Sequence, residues 1–129
     1  MSLRIAVLGA EHYHANFWIK AFLQSDGVSV AGVWDKDRAK AAALAGRHGV
    51  AVADDLQTLL DGSDAVAICS ATSEHVGFVR EASRRGLPIL CEKPLGATGG
   101  DCLEIARIVR ESGVPFMQSF PKRFDPVNH

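Results

Sequence analysis

Arg4-Ile5-Ala6-Val7-Leu8-Gly9-Ala10-Glu11-His12-Tyr13-His14-Ala15 is the stretch that decides the fold. Four apolar residues follow Arg4, too few for a helix and apolar on both faces, which is the pattern of a short strand inside a covered parallel sheet. Gly9 ends the run, and Ala15, Trp18 and Phe22 then recur at helical spacing. The same unit of short apolar strand, helical stripe and glycine repeats outward from here. Further strand candidates are residues 28–34, 51–52, 65–69, 87–91 and 115–118. Helical stripes fall between them at Ala39, Ala42 and Ala43, at His75, Phe78, Val79 and Ala82, and at Cys102, Ile105, Ala106 and Val109.

Gly27, Gly49, Gly86 and Gly113 each stand between a helical stripe and the next strand, where a left-handed residue ends a helix most cheaply as glycine. Strands alternating with helices over short loops are right-handed βαβ units. The expectation is an α/β, doubly wound parallel sheet of the Rossmann type. Its six candidate strands would lie in the order 3-2-1-4-5-6 within a single domain. Residues 1–120 make up that domain. Residues 121–129 lose the periodicity and read as a linker or as the start of a C-terminal substrate domain missing from this chain.

The 129 residues carry 14 Lys and Arg against 15 Asp and Glu, for a net charge of −1. Without a basic patch, nucleic acid and anionic membrane surfaces are not expected partners. The chain also has no apolar run approaching the roughly 20 residues of a membrane span. Cys69, Cys91 and Cys102 form an odd set with no C-x-x-C pair, the pattern of reduced thiols in a cytoplasmic protein.

In an open parallel sheet, ligands bind beyond the carboxyl ends of the strands. The loop Gly9 to His14 occupies the place of a dinucleotide-binding G-x-G-x-x-G but keeps only its first glycine, with Glu11 and His14 in the other two positions. A carboxylate and a phosphate 4 Å apart repel by about 4 kcal/mol at an effective dielectric near 20, so Glu11 must turn away or be neutralised if a dinucleotide binds. His14 in the third position is expected to push the helix off the strand. Asp35, ending the second strand, is placed either to accept both ribose hydroxyls or to cap a helix starting near Lys36. It favours NAD, while Lys36 and Arg38 leave NADP possible. Ser70 and Thr72 can bond a cofactor, with Thr72 or Ser73 alternatively capping the next helix. His75 lies on an apolar stripe, which fits a buried histidine as well as a cofactor contact. Lys93 stands just past the fifth candidate strand, where its ammonium suits proton transfer, with Glu92 holding it in place. Glu11, His12 and His14 offer three potential metal ligands. Histidines at i and i+2 entering a helix diverge, however, so no metal site is expected.

Glu92-Lys93-Pro94, together with the segment Ser70 to His75 and the terminal Lys122-Arg123-Phe124-Asp125-Pro126, resembles the Gfo/Idh/MocA family of NAD(P)-dependent oxidoreductases over essentially the whole chain. The resemblance implies the cofactor-binding domain of an enzyme that transfers a hydride between a nicotinamide cofactor and a sugar, cyclitol or related polyol. The alternative is a non-enzymatic nucleotide-sensing or assembly protein of the same fold. Cofactor contacts are implied for Gly9, Ala10, Glu11, His12, Asp35, Ser70, Thr72, His75, Glu92, Lys93 and Arg123, with Lys93 catalytic. Further catalytic groups would belong to the second domain. Homo-oligomers would form through that domain, and this chain alone would be inactive.

Overall fold

The structure, a computed structural model, describes residues 2–120 and 126–128. Five parallel strands, β1 (Leu3–Leu8), β2 (Val28–Trp34), β3 (Ala65–Ile68), β4 (Ile89–Cys91) and β5 (Phe116–Gln118), form one sheet in the order β2-β1-β3-β4-β5. The helices are α1 (Ala15–Gln24), α2 (Arg38–His48), α3 (Leu56–Asp61), α4 (His75–Arg84) and α5 (Gly99–Ser112). Order reverses between β1 and β3, so the crevice that a doubly wound sheet offers to ligands opens beside the glycine turn that follows β1.

Both faces of the sheet are covered, which is why β1 is apolar at successive positions. Ala6 and Leu8 face one core cluster with Val66, Ile68, Phe78, Val79 and Ile105. Val7 faces the other, with Ala15, Ile19, Val33, Leu44 and Cys69. Phe78 sets its ring edge-on against Trp34 at 5.9 Å. The stripe His75, Phe78, Val79 and Ala82 is buried as the sequence pattern predicts, and the four helix-ending glycines all take left-handed φ, between 66° and 73°.

Three expectations are corrected. The candidate strand at 51–52 shrinks to a single parallel bridge, Val33 to Val52, beside β2. Its neighbours Ala51 and Ala53 bond both polar groups of the Val33 backbone (2.9 and 2.8 Å), and the chain then turns away. α3 does not show in the apolar periodicity because it has only six residues, yet Asp55 caps it by accepting the Thr58 N–H and it buries Leu59 and Leu60. α2 turns Ala41, Leu44 and Ala45 inward, whereas the pattern pointed to Ala39, Ala42 and Ala43. A helix with five alanines in eleven residues offers little contrast between its faces.

Among the described residues, no helix is long and apolar enough to cross a membrane. The three cysteines are free thiols, and Cys69 and Cys91 are buried. Burial, reinforced by the nearby charge of Glu92, pushes Cys91 up to about 12, and the same causes raise Cys69 further. Thiolates are the reactive form. A thiol-specific reagent at pH 8 should therefore modify only the partly exposed Cys102 in the native protein and all three cysteines in denaturant without reductant. Rapid native reaction of three thiols would contradict this packing.

Candidate functional site: a dinucleotide cleft at the carboxyl edge

Each strand delivers one element of the site at the same edge of the sheet. After β1, Gly9 has a φ of 91°, and a Cβ added there would lie 2.3 Å from the Ser70 Cα. Only glycine fits both the conformation and the close approach. The following loop is bonded to its neighbours on either side. The Gly9 N–H donates to the Trp34 carbonyl (2.7 Å) and the His12 N–H to the Cys69 carbonyl (3.0 Å). The Ala10 N–H donates to Asp35 Oδ2 (2.8 Å), and the Asp37 N–H reaches the other carboxylate oxygen (2.8 Å). Asp35 is thus held rigidly by two backbone donors. It does not cap α2. That helix starts at Arg38, and Asp37 is its cap.

Glu11 meets the condition set by its charge, because Lys40 pairs with it at 2.8 Å. Lys36 pairs with Glu74 (2.8 Å) and Arg38 with Asp54 (2.6 Å), so all three cations beside the loop have carboxylate partners. These exposed pairs are screened by water and release easily. His14 does not push α1 away from the sheet. Ala15 and Ile19 make the close contact with β1, and the His14 ring turns sideways toward the end of β4.

After β3, Ser70 is buried with its hydroxyl on the Ala71 carbonyl (3.2 Å). Thr72 opens a short 3-10 turn and makes no side-chain cap, and neither does Ser73, so the capping alternative falls. His75 is buried, with Nδ1 at 3.0 Å from the Leu95 carbonyl and 3.4 Å from Cys91 Sγ. The ring thus lies buried beneath the cleft rather than open to it.

Glu92 is the unusual residue. It is 1% exposed, and its partners come from the loop after β1, from α1 and from its own loop. Oε1 accepts the Trp18 indole N–H (2.6 Å) and lies 3.2 Å from His14 Nδ1, while Oε2 accepts the Lys93 N–H (3.1 Å) and lies 3.8 Å from His12 Nε2. Burial favours the neutral acid, but the Trp18 donor and the neighbouring histidines outweigh it and hold the carboxyl below its ordinary range. Burial also lowers His12, against the pull of Glu92. Glu92 therefore does not grip the Lys93 ammonium as expected. Only the Lys93 backbone contacts it, across a cis Lys93–Pro94 peptide, and the lysine side chain stands exposed at the cleft. Arg123 lies outside the described residues.

His12 and His14 do not diverge. Their rings lie 4.6 Å apart and converge on Glu92, with Glu11 turned elsewhere. His14, Phe17, Trp18, Glu92 and Ser119 also line a cavity of about 290 Å³. The sequence reading placed Trp18 in the core stripe and missed its bond to Glu92. The available signal was its spacing four residues after His14, which puts both side chains on one helix face.

A doubly wound sheet with a glycine turn after β1, a braced acid after β2 and a lysine past β4 defines a nicotinamide-dinucleotide-binding Rossmann domain. The chain belongs to the Gfo/Idh/MocA oxidoreductase family, whose NAD-binding Rossmann fold matches residues 3–120. It is 36% identical to inositol 2-dehydrogenase 2 of Saccharopolyspora erythraea over 98% of its own length and 38% of that protein's. It is 34% identical to D-xylose 1-dehydrogenase (NADP(+)) 2 of Haloferax volcanii, covering 81% of this chain and 33% of the relative. A Gfo/Idh/MocA family oxidoreductase from Vibrio cholerae superposes with a TM-score of 0.84 at 25% identity, over 97% of this chain and 40% of that one. The chain thus spans about two fifths or less of the relatives it matches.

Replacing Gly9 with alanine should cost about 2–4 kcal/mol in urea denaturation, from the left-handed φ and the collision with Ser70. Gly46→Ala, in the body of α2 with open space around it, should be neutral or stabilising by up to ~1 kcal/mol. Equal effects at the two positions would show that Gly9 is not confined as described.

Proposed function

We propose that this chain is the cofactor-binding domain of an NAD(P)-dependent dehydrogenase acting on a sugar, cyclitol or related polyol. The observation that carries this reading is the alignment, along one sheet edge, of Gly9, Asp35, Thr72 and Lys93 at the ends of β1 to β4. The polyol class rests on the relatives, which are named as inositol and xylose dehydrogenases.

The residues present fit a dinucleotide. Most backbone donors of the loop are spent inside it, since the N–H groups of Ala10, His12 and His14 bond Asp35, Cys69 and His12. The Glu11 and Tyr13 N–H groups have no acceptor among the described residues and lie at the entrance to α1, where the helix dipole also favours a pyrophosphate. Asp35 has lone pairs left for ribose hydroxyls after its two backbone bonds, and its charge opposes a 2′-phosphate, so NAD is preferred over NADP. Thr72 presents a hydroxyl that no helix cap consumes.

A bound nicotinamide supplies the hydride chemistry. Lys93 orients the substrate hydroxyl and assists its deprotonation, at a position fixed by its backbone bond to Glu92. The rest of the substrate pocket, the exclusion of water and any subunit contacts belong to a further domain of the whole protein. In the full-length protein, Lys93→Ala should lower kcat/KM by about 100-fold or more on an accepted polyol, with the dissociation constant of NAD changed far less. The assay follows absorbance of the reduced cofactor across a polyol panel. Unchanged turnover in the variant would remove Lys93 from the chemistry, and no turnover of any polyol by the wild type would overturn the substrate class.

A further inference from the structure

We propose that His12, His14 and Glu92 form a binding site for one divalent transition-metal ion of zinc-like chemistry, at the mouth of the nucleotide cleft. Two imidazoles and one carboxylate are the donor set such ions favour over magnesium or calcium. Their ligand atoms lie within 4.8 Å of one another, with His14 Nδ1 at 3.2 Å and His12 Nε2 at 3.8 Å from the two oxygens of Glu92. A tetrahedral ion with bonds of about 2.0–2.1 Å separates its ligands by roughly 3.4 Å, so His14 and Glu92 already stand at the required spacing. A small inward rotation of His12 completes the set.

The carboxylate is oriented in advance. The Trp18 indole N–H and the Lys93 N–H hold Glu92 from behind, as outer partners hold the ligands of built metal sites. The two rings are 25% and 31% exposed, which gives an ion a route in and leaves its remaining position open to the cleft. Two features act against the ion. His12 Nδ1 accepts the His14 N–H at 3.1 Å, so coordination through Nε2 moves the ring proton to Nδ1 and gives up that bond. The Lys93 ammonium is also near enough to act on His12, but it is exposed and screened by water.

This site does not depend on the dehydrogenase reading, and its test uses metal alone. The chelator-treated chain, carrying Cys102→Ser so that no accessible thiol competes, is titrated with Co²⁺ and Zn²⁺ without nucleotide. The expected result is one equivalent bound with a Kd of about 10 µM or tighter, with Co²⁺ showing visible ligand-field absorption of low coordination number. His12→Ala and His14→Ala should each weaken binding by about 100-fold or more. Glu92→Gln should do the same if it folds, and the two histidine variants decide the matter if it does not. His48→Ala should leave the titration unchanged, since that ring lies on α2 against Asn16. Absence of saturable uptake, or uptake that survives both His12→Ala and His14→Ala, overturns the proposal.

Discussion

A carboxylate 1% exposed at the end of β4 is the constraint around which the functional edge is arranged. A buried charge survives only if its lone pairs are met by donors or cations, and taking one partner away costs about 3–5 kcal/mol. Glu92 finds its donors at the start of α1, through Trp18 and the preceding His14, and in its own loop, through the Lys93 backbone. The charge therefore joins the entrance of the first helix to the fourth strand, across the crevice where the strand order reverses. Compared with well-packed apolar residues, such a group adds little net stability, so its physical consequence here is position. It fixes where Lys93 stands and where α1 begins.

That arrangement accounts for the missing glycines. In the usual motif the second glycine admits a pyrophosphate and the third lets the helix pack close to the strand. Here Glu11 is neutralised by Lys40, and the close packing passes to Ala15 and Ile19. His14 is freed to turn toward Glu92, while Gly9, the glycine that remains, occupies a place no other residue can take. The altered loop leaves the Glu11 and Tyr13 amides without an acceptor among the described residues, while its other donors are committed to Asp35, Cys69 and His12.

The fold was legible in the sequence wherever periodicity and punctuation agreed. His75, Phe78, Val79 and Ala82 mark a buried helix face because they recur at helical spacing, with Arg80 and Glu81 between Val79 and Ala82, and Gly113 marks a helix end because Pro115 follows soon after. α2 was legible as a helix but not in orientation, since alanine on every side carries no contrast. α3 is too short for a period, although Asp55 followed by Leu56, Leu59 and Leu60 is a cap with an apolar face. At the site, Gly9, Asp35 and Lys93 announced themselves by residue type at strand ends. The Trp18–Glu92 and His14–Glu92 contacts span 74 and 78 residues and exist only because the sheet brings α1 beside β4. Nothing local encodes them. The divergence expected of His12 and His14 failed for the same reason: a distant carboxylate draws both rings together.

The central claim is that a loop with a single glycine, held by Glu92, still receives a nicotinamide dinucleotide at this edge of the sheet. The most direct measurement is a titration of the isotope-labelled chain with NAD, followed through its backbone amide resonances. The account predicts saturable shifts confined to residues 9–14, Asp35, residues 70–72 and Lys93, largest at the Glu11 and Tyr13 amides. Shifts spread over other surfaces, or no saturable response in the Glu11 and Tyr13 amides at millimolar NAD, would contradict it.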